Sequence, residues 1–276
     1  MKRCVGRVVV GTALVACVVG LQSQTPGRRP RLVAGVDHVP VAVRDLKQAG
    51  ETYRKLGFAL KPGTPHANGL SNLHAKFPDG TEIELITAPK ATDAVTGTYI
   101  AHLTQGDGPA FLALHAPDPA AAAQTFPSEH AARRYIFFGG LNRSPTDRPE
   151  HFQHPNTAEA LVSVWIAADD LSAERDLLRR SGIPVTTEDV FVPGRESAAV
   201  ARFKASSLVM LPGRHQRVAG RRIVGATVAV RSLEAVANAL RAGGFPRQAL
   251  TTVSHVQSVF VSPDVTHGWW IEFRQK

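Results

Sequence analysis

Cysteine is almost missing from this chain of 276 residues: its two copies, Cys4 and Cys17, both fall within the first 21 positions. The rest of the chain therefore has no disulfide framework, no cysteine nucleophile and no thiolate-held metal. Long apolar runs are missing too. The stretch from Val8 to Ala16, even extended to Leu21, is too short to span a bilayer, which favours a targeting signal over a transmembrane helix. There is no Gly-x-Ser-x-Gly elbow and no glycine-rich phosphate loop ending in lysine and serine, so a hydrolase or nucleotide enzyme of those types is excluded. The formal charge is +9, but apart from Arg28, Arg29, Arg31 and the pair Arg221 and Arg222 the basic residues are scattered. Neither cluster is interleaved with aromatics, so a nucleic-acid partner is not expected. Glycine (23) and proline (19) are ordinary in amount, which leaves a globular class with enough apolar residues (43%) for a real core.

Met1-Lys2-Arg3 and Arg7 make a basic start before the apolar run, and Leu14-Val15-Ala16-Cys17 resembles a bacterial lipobox. Residues 1–21 are expected to be a signal peptide with Cys17 as the lipidation site, and 22–32 a tether. An ordinary cleaved signal and a retained anchor are the alternatives. The protein is thus expected to be exported, periplasmic or in the cell envelope, touching a membrane only through a lipid anchor.

Self-comparison of the remainder reveals a repeat. Val41-Ala42-Val43-Arg44 recurs as Val228-Ala229-Val230-Arg231, each time at the end of a strand-like run. A polar residue suited to capping a helix follows, Asp45 or Ser232. Apolar residues at helical spacing come next, and the helix stops at Gly57-Phe58 or Gly244-Phe245. A third copy runs from the strand Val162 to Ala168 through the cap Asp170 to the stop Gly182-Ile183, with the same spacing. A fragmentary fourth lies between Pro109 and Gly139. The expected architecture is α+β: tandem βαβββ modules pairing into curved mixed sheets around a cleft. The modules are placed at 33–90, 109–145 (partial), 158–213 and 221–276, because one module alone leaves an apolar sheet face uncovered.

Asp37-His38-Val39-Pro40-Val41-Ala42-Val43-Arg44-Asp45-Leu46, with Tyr53 and Leu56-Gly57-Phe58, resembles the opening of glyoxalase-like, or vicinal oxygen chelate, modules. Gly80 to Ile86 and Pro263 to Phe273 resemble their closing strands, while Gly69 to Asn72 and His154-Pro155-Asn156 resemble a glyoxalase-like branch. The resemblance runs from Val33 to Arg274. It implies a divalent metal (Zn, Fe, Mn or Ni) held by one position on the first strand and one on the last strand of each paired module. Carried across, these fall on His38 and Glu84 in the first copy and on Gly225 and Glu272 in the last; the middle copy offers Ser163 and Met210. Three of the four positions are filled if the first and last copies pair.

On this basis His38, Glu84 and Glu272 are the candidate metal ligands, with Glu84 also the candidate catalytic base. His66, beside the glycine- and asparagine-bearing loop, His154, at an Xaa-Pro step, and Trp270, on the strand face of Glu272, are candidate substrate contacts. Each has a plain structural alternative: a hydrogen-bonded core histidine for His38, a solvated charge for Glu84, turn chemistry for His66. The implied activity is that of a metal-dependent lyase, isomerase or dioxygenase acting on a small oxygenated molecule. The alternative is a binding or sequestering protein on the same scaffold.

Overall fold

The structure, a computed structural model, describes residues 31–276. The expected signal segment, its Cys17 and most of the tether lie outside the described residues. Among the described residues no helix is long and apolar enough to cross a membrane.

The first module comprises β1 (Gly35–Ala42), α1 (Leu46–Lys55), β2 (Lys61–Pro62), β3 (Ser71–Lys76) and β4 (Glu82–Thr87). Helix α2 (Ala94–Leu103) and the short β5 (Gly108–Pro109) lead to an abbreviated second copy of β6 (Leu112–His115), α3 (Pro119–Thr125) and β7 (Ile136–Gly139). This copy lacks the hairpin between helix and last strand. The third consists of β8 (Ala158–Ala167), α4 (Ser172–Arg180), β9 (Val185–Phe191), β10 (Arg195–Arg202) and β11 (Ser207–Leu211). The fourth consists of β12 (Ile223–Val230), α5 (Leu233–Ala242), β13 (Leu250–Val253), β14 (Ser258–Val261) and β15 (Trp270–Gln275).

Capping follows the repeated sequence. Asp45 accepts from the Gln48 N–H and Ser232 from the Ala235 N–H, each satisfying an otherwise unpaired amide at a helix start. Gly57 (φ 88°) and Gly244 (φ 73°) take the left-handed backbone that ends each helix, where a side chain would be strained. In the third copy Asp170 acts one residue early. Its carboxylate accepts from the Ser172 N–H, and Leu171 takes the cap position without a side-chain bond.

Two curved sheets result, ordered β2-β3-β4-β1-β6-β7 with β5 also on β1, and β13-β14-β15-β12-β8-β11-β10-β9. In each module the first and last strands run parallel, and modules join through antiparallel first strands, β1 with β6 and β12 with β8. The mixed α+β architecture is as expected, and the condition for three filled ligand positions, pairing of the first and last copies, is not met. First pairs with second and third with fourth, so the first and last copies lie in different sheets.

One core cluster takes the helix-side faces of both sheets together with α1, α4 and α5. The Trp269 indole N–H donates to the Tyr53 hydroxyl (2.9 Å) across it, joining the fourth module to the first. The opposite face of each sheet is a cup with its own smaller apolar cluster.

Candidate functional site

Period-two alternation decides which side chains enter the N-terminal cup. On β1 and β4, Val39, Val41, Ile83 and Leu85 point to the core, which turns His38, Glu82 and Glu84 the other way. His38 Nε2 lies 3.8 Å from Glu84 Oε2, and a bulge in β1 brings Asp37 Oδ2 within 3.3 Å of His38 Nδ1. The neighbouring β3 adds Asn72, which donates to Glu84 (2.5 Å), and His74, whose Nδ1 sits 2.9 Å from Glu82. The loop after β7 closes over this group. Asn142 donates to Glu82 (2.5 Å), and Asp147 pairs with Lys61 and Lys76 (2.6 and 2.9 Å).

The cluster is buried and strongly charged, and its protonation follows. Burial opposes the imidazolium of His38, but the Asp37 carboxylate at 3.3 Å and the further carboxylates Glu84 and Glu82 outweigh it and raise its pKa. Burial also opposes ionisation of Glu82, yet its bond with His74 and the surrounding cations hold its carboxyl below the ordinary range. Several buried atoms here have no partner: Asp37 Oδ1, His38 Nδ1, Asn72 Oδ1 and Glu82 Oε2.

The second copy returns one histidine of this kind: His115 shares the cup-side alternation of β6 with Ala113, opposite Gly35, and its buried Nδ1 has no partner. Ala113 registers opposite His38 and Phe137 beside Ala113, and the Phe137 ring stands edge-on to the His38 ring at 5.4 Å. Against His38 itself, this half of the cup presents aromatic carbon.

The C-terminal cup is built by the same alternation and differs in kind. Its face carries Ser163 and Trp165 on β8, Ser207 and Val209 on β11, Thr227 on β12, and Trp270, Glu272 and Arg274 on β15. The register places Val209, not Met210, on the cup side; Met210 packs in the main core. Glu272 is fully buried, and its carboxylate accepts from Thr227 (2.6 Å), Ser258 (2.5 Å) and two guanidinium nitrogens of Arg274 (2.9 Å each). Those four donors occupy the lone pairs a metal would need. Gly225 is filled by a neighbour: a Cβ there would fall 2.8 Å from Trp165 Cζ3 and 2.9 Å from Trp270 Cβ. The Trp165 ring lies in the space of the missing ligand and is oriented by its N–H bond to Thr227 (3.2 Å).

The structure thus brings His38 and Glu84 together and places Glu272 in the other cup. Among the described residues no three histidine, cysteine, aspartate or glutamate side chains converge as metal ligands. Neither cup holds the full ligand set that the resemblance implies: the N-terminal cup has His38 and Glu84 at two of its positions, with His74 and Glu82 paired beside them, and the carboxylate of the C-terminal cup is already saturated.

The substrate candidates also separate. His66 is exposed, with Nε2 3.4 Å from the Asn72 amide that touches Glu84, at the edge of the N-terminal cup. His154 faces neither cup. Its Nδ1 accepts from the Ala59 N–H (3.0 Å) and its Nε2 meets the Lys76 carbonyl (2.8 Å), so both ring nitrogens are taken by backbone between Phe58 and Phe77. Trp270 packs in the C-terminal cup beside Trp165. Many contributors were not among the sequence candidates: Asp37, Asn72, His74, Glu82 and Asn142 in the N-terminal cup, and Trp165, Thr227 and Arg274 in the C-terminal one. Two residues of alternation from Glu272 would have found Arg274; no sequence signal brings Asn142 to Glu82.

Above this floor the C-terminal cup encloses a cavity of about 360 Å³, walled by Trp165, Val190, Val200, Val209 and Val256. Its rim is drawn together by Phe191 on the edge strand β9, whose ring lies 5.4 Å from His255 and 5.8 Å from Phe260 of the fourth module.

Residues 36–144 match the family model described as a glyoxalase-like domain. No curated protein matches the sequence of the chain. Among solved structures, a mutant of 4-hydroxymandelate synthase from Streptomyces coelicolor superposes with a TM-score of 0.61 at 12% identity, covering 88% of this chain and 92% of that one. Homoprotocatechuate 2,3-dioxygenase from Arthrobacter globiformis gives 0.55 at 15% identity, covering 91% and 82%. A xylose isomerase-like TIM barrel/4-hydroxyphenylpyruvate dioxygenase fusion protein gives 0.61 at 14% identity; 91% of this chain is covered but only half of the fusion protein. At these identities the likeness is one of fold.

Proposed function

For a chain that carries a glyoxalase-like domain and has the vicinal oxygen chelate fold throughout, we propose a role as a small-molecule-binding protein whose ligand occupies the C-terminal cup without a metal. One observation carries this: the cup keeps a cavity of about 360 Å³, of the size of small-ligand sites, with Trp165 and a set of valines on one side and hydroxyls and paired ions on the other, while its carboxylate is consumed by four donors. The test is a native mass-spectrometric and calorimetric screen of the purified protein against small organic molecules. Binding at one site, unaffected by chelator and abolished in Val209→Trp, supports the proposal. Binding untouched by that plug would refute it.

A second function is favoured by the partnerless buried atoms around His38 and Glu82. It is lyase, isomerase or dioxygenase chemistry from the N-terminal cup, with Glu84 as proton acceptor. Stoichiometric zinc, iron, manganese or nickel in the purified protein, lost in both His38→Ala and Glu84→Gln, would establish this function in place of binding alone. Glu272→Gln, which lies in the other cup, would leave such a metal in place.

The proposal includes export to the cell envelope through residues 1–21, with acylation of Cys17. Incorporation of labelled palmitate that is lost in Cys17→Ser supports it; an unprocessed cytoplasmic product refutes it.

A further inference from the structure

We infer that the C-terminal cup selects an uncharged ligand with an apolar body and a hydroxyl or carbonyl head, and discriminates against both carboxylates and amines. The inference rests on the proposal that this cup is the binding site, and it follows from how the ions of the lining are disposed.

Four charged side chains reach the cavity: Glu188, Asp189, Arg202 and Arg274. All four are already paired. Arg274 makes two bonds to the buried Glu272, Arg202 holds Glu188 through two nitrogens, and Arg195 pairs with Asp189 (2.5 Å). A ligand carboxylate would have to share a guanidinium with a carboxylate it repels, and an ammonium would meet acids already neutralised. Either ion would lose its hydration without gaining an unopposed partner.

What the floor does offer is hydroxyl chemistry. Ser207 donates to Ser163 (3.0 Å) while the Ser163 hydroxyl hydrogen has no acceptor among the described residues, and Thr227 links the Trp165 indole to Glu272. One spare donor beside hydroxyl acceptors suits a single alcohol or carbonyl oxygen. The Trp165 ring and the valines of the wall suit a carbon skeleton behind it.

A matched set of probes separates the alternatives: 3-phenylpropanol, 3-phenylpropionate, 3-phenylpropylamine and propylbenzene. Affinity is read by calorimetry on the full chain at neutral pH, and location by quenching of Trp165 fluorescence against a Trp165→Phe control. The alcohol is expected to bind at least about tenfold more tightly than the acid or the amine, because only the ions lose hydration uncompensated. The acid should tighten as the pH falls towards its own ionisation, since its neutral form is the one accepted. In Ser163→Ala/Ser207→Ala the advantage of the alcohol over propylbenzene should shrink by about three- to tenfold, the worth of one net hydrogen bond.

A carboxylate bound as tightly as the alcohol, or more tightly, overturns the inference and makes Arg274 and Arg202 the recognising groups. A preferred amine overturns it in favour of Glu188 and Asp189. If none of the four probes binds, propylbenzene included, or if binding leaves Trp165 unquenched, the assignment of the cup itself fails rather than its selectivity.

Discussion

Replacing Gly225 with alanine tests whether the Trp165 ring truly occupies the position of a ligand side chain. Gly225 does not have a left-handed backbone, so the substitution is a matter of space alone. The new methyl would lie 2.8 Å from Trp165 Cζ3, closer still to Cε3, and 2.9 Å from Trp270 Cβ, with strand backbone behind it. The indole must swing away, which strains a packed core by about 1–3 kcal/mol. It also breaks the Trp165–Thr227 hydrogen bond, worth about 1 kcal/mol. Together these come to about 3 kcal/mol. At roughly 2–4 °C per kcal/mol for a domain of this size, the melting temperature should fall by roughly 6–12 °C in differential scanning calorimetry. The decisive measurement is a double-mutant cycle in urea. With Trp165→Ala in place only the Trp270 Cβ at 2.9 Å still crowds the methyl, and Gly225→Ala should then cost at least about 1 kcal/mol less than in the wild type, a clear departure from additivity. A Gly225→Ala protein that melts with the wild type, or additive costs in the cycle, would refute the assignment of Trp165 to that space.

Tyr53→Phe removes the acceptor of the buried Trp269 N–H and should destabilise the protein by about 1–3 kcal/mol in urea; recovery of part of that loss in Trp269→Phe/Tyr53→Phe would identify the unpaired donor as the cause. His38 has a pKa raised above 6.5 in the native state, so its contribution is fully present below the unfolded value and fades as the pH rises through the native one. His38→Gln should therefore flatten the loss of stability just above pH 6.5, measured as urea midpoints across pH. His102 has the opposite sign: burial and the nearby Arg221 lower it to about 4, so the unfolded chain takes up a proton first and stability drops as the pH falls from about 6.5 to about 4. A His102→Gln variant that kept that acid-side drop would show the assignment to be wrong. Asp147, held well below 3.8 by Lys61 and Lys76 despite its burial, contributes stability that persists above 3.8 and is lost as the pH falls below it. Asp147→Asn should remove that loss at the acid end while lowering stability at neutral pH.

Local order in this protein is written in short stretches of chain. The strand, cap, helix and glycine stop recur at the same spacing because each depends on neighbours a few residues away: Asp45 on Gln48, Ser232 on Ala235, Gly57 and Gly244 on their own backbone angles. From these the α+β class and the repeated module were legible, and so was the nearness of His38 and Glu84, which share a face on adjacent strands of one copy. The abbreviated second copy was legible only as a fragment, since a missing hairpin leaves no periodic signal.

Which modules pair was not written locally. Each first strand can join another through the same backbone bonds, and the choice of β1 with β6 and β8 with β12 rests on a core that all four copies share, with Trp269 of the fourth bonded to Tyr53 of the first. That choice separated Glu272 from His38 and left the N-terminal cup with two of the four expected ligand positions filled and the C-terminal cup with one. Phe137 against His38 and Trp165 over Gly225 are likewise matters of tertiary contact, between residues 99 and 60 positions apart in the sequence. The residues themselves determined what each strand could present to a cup. Only the folding of four copies onto a common core decided which of them would face one another.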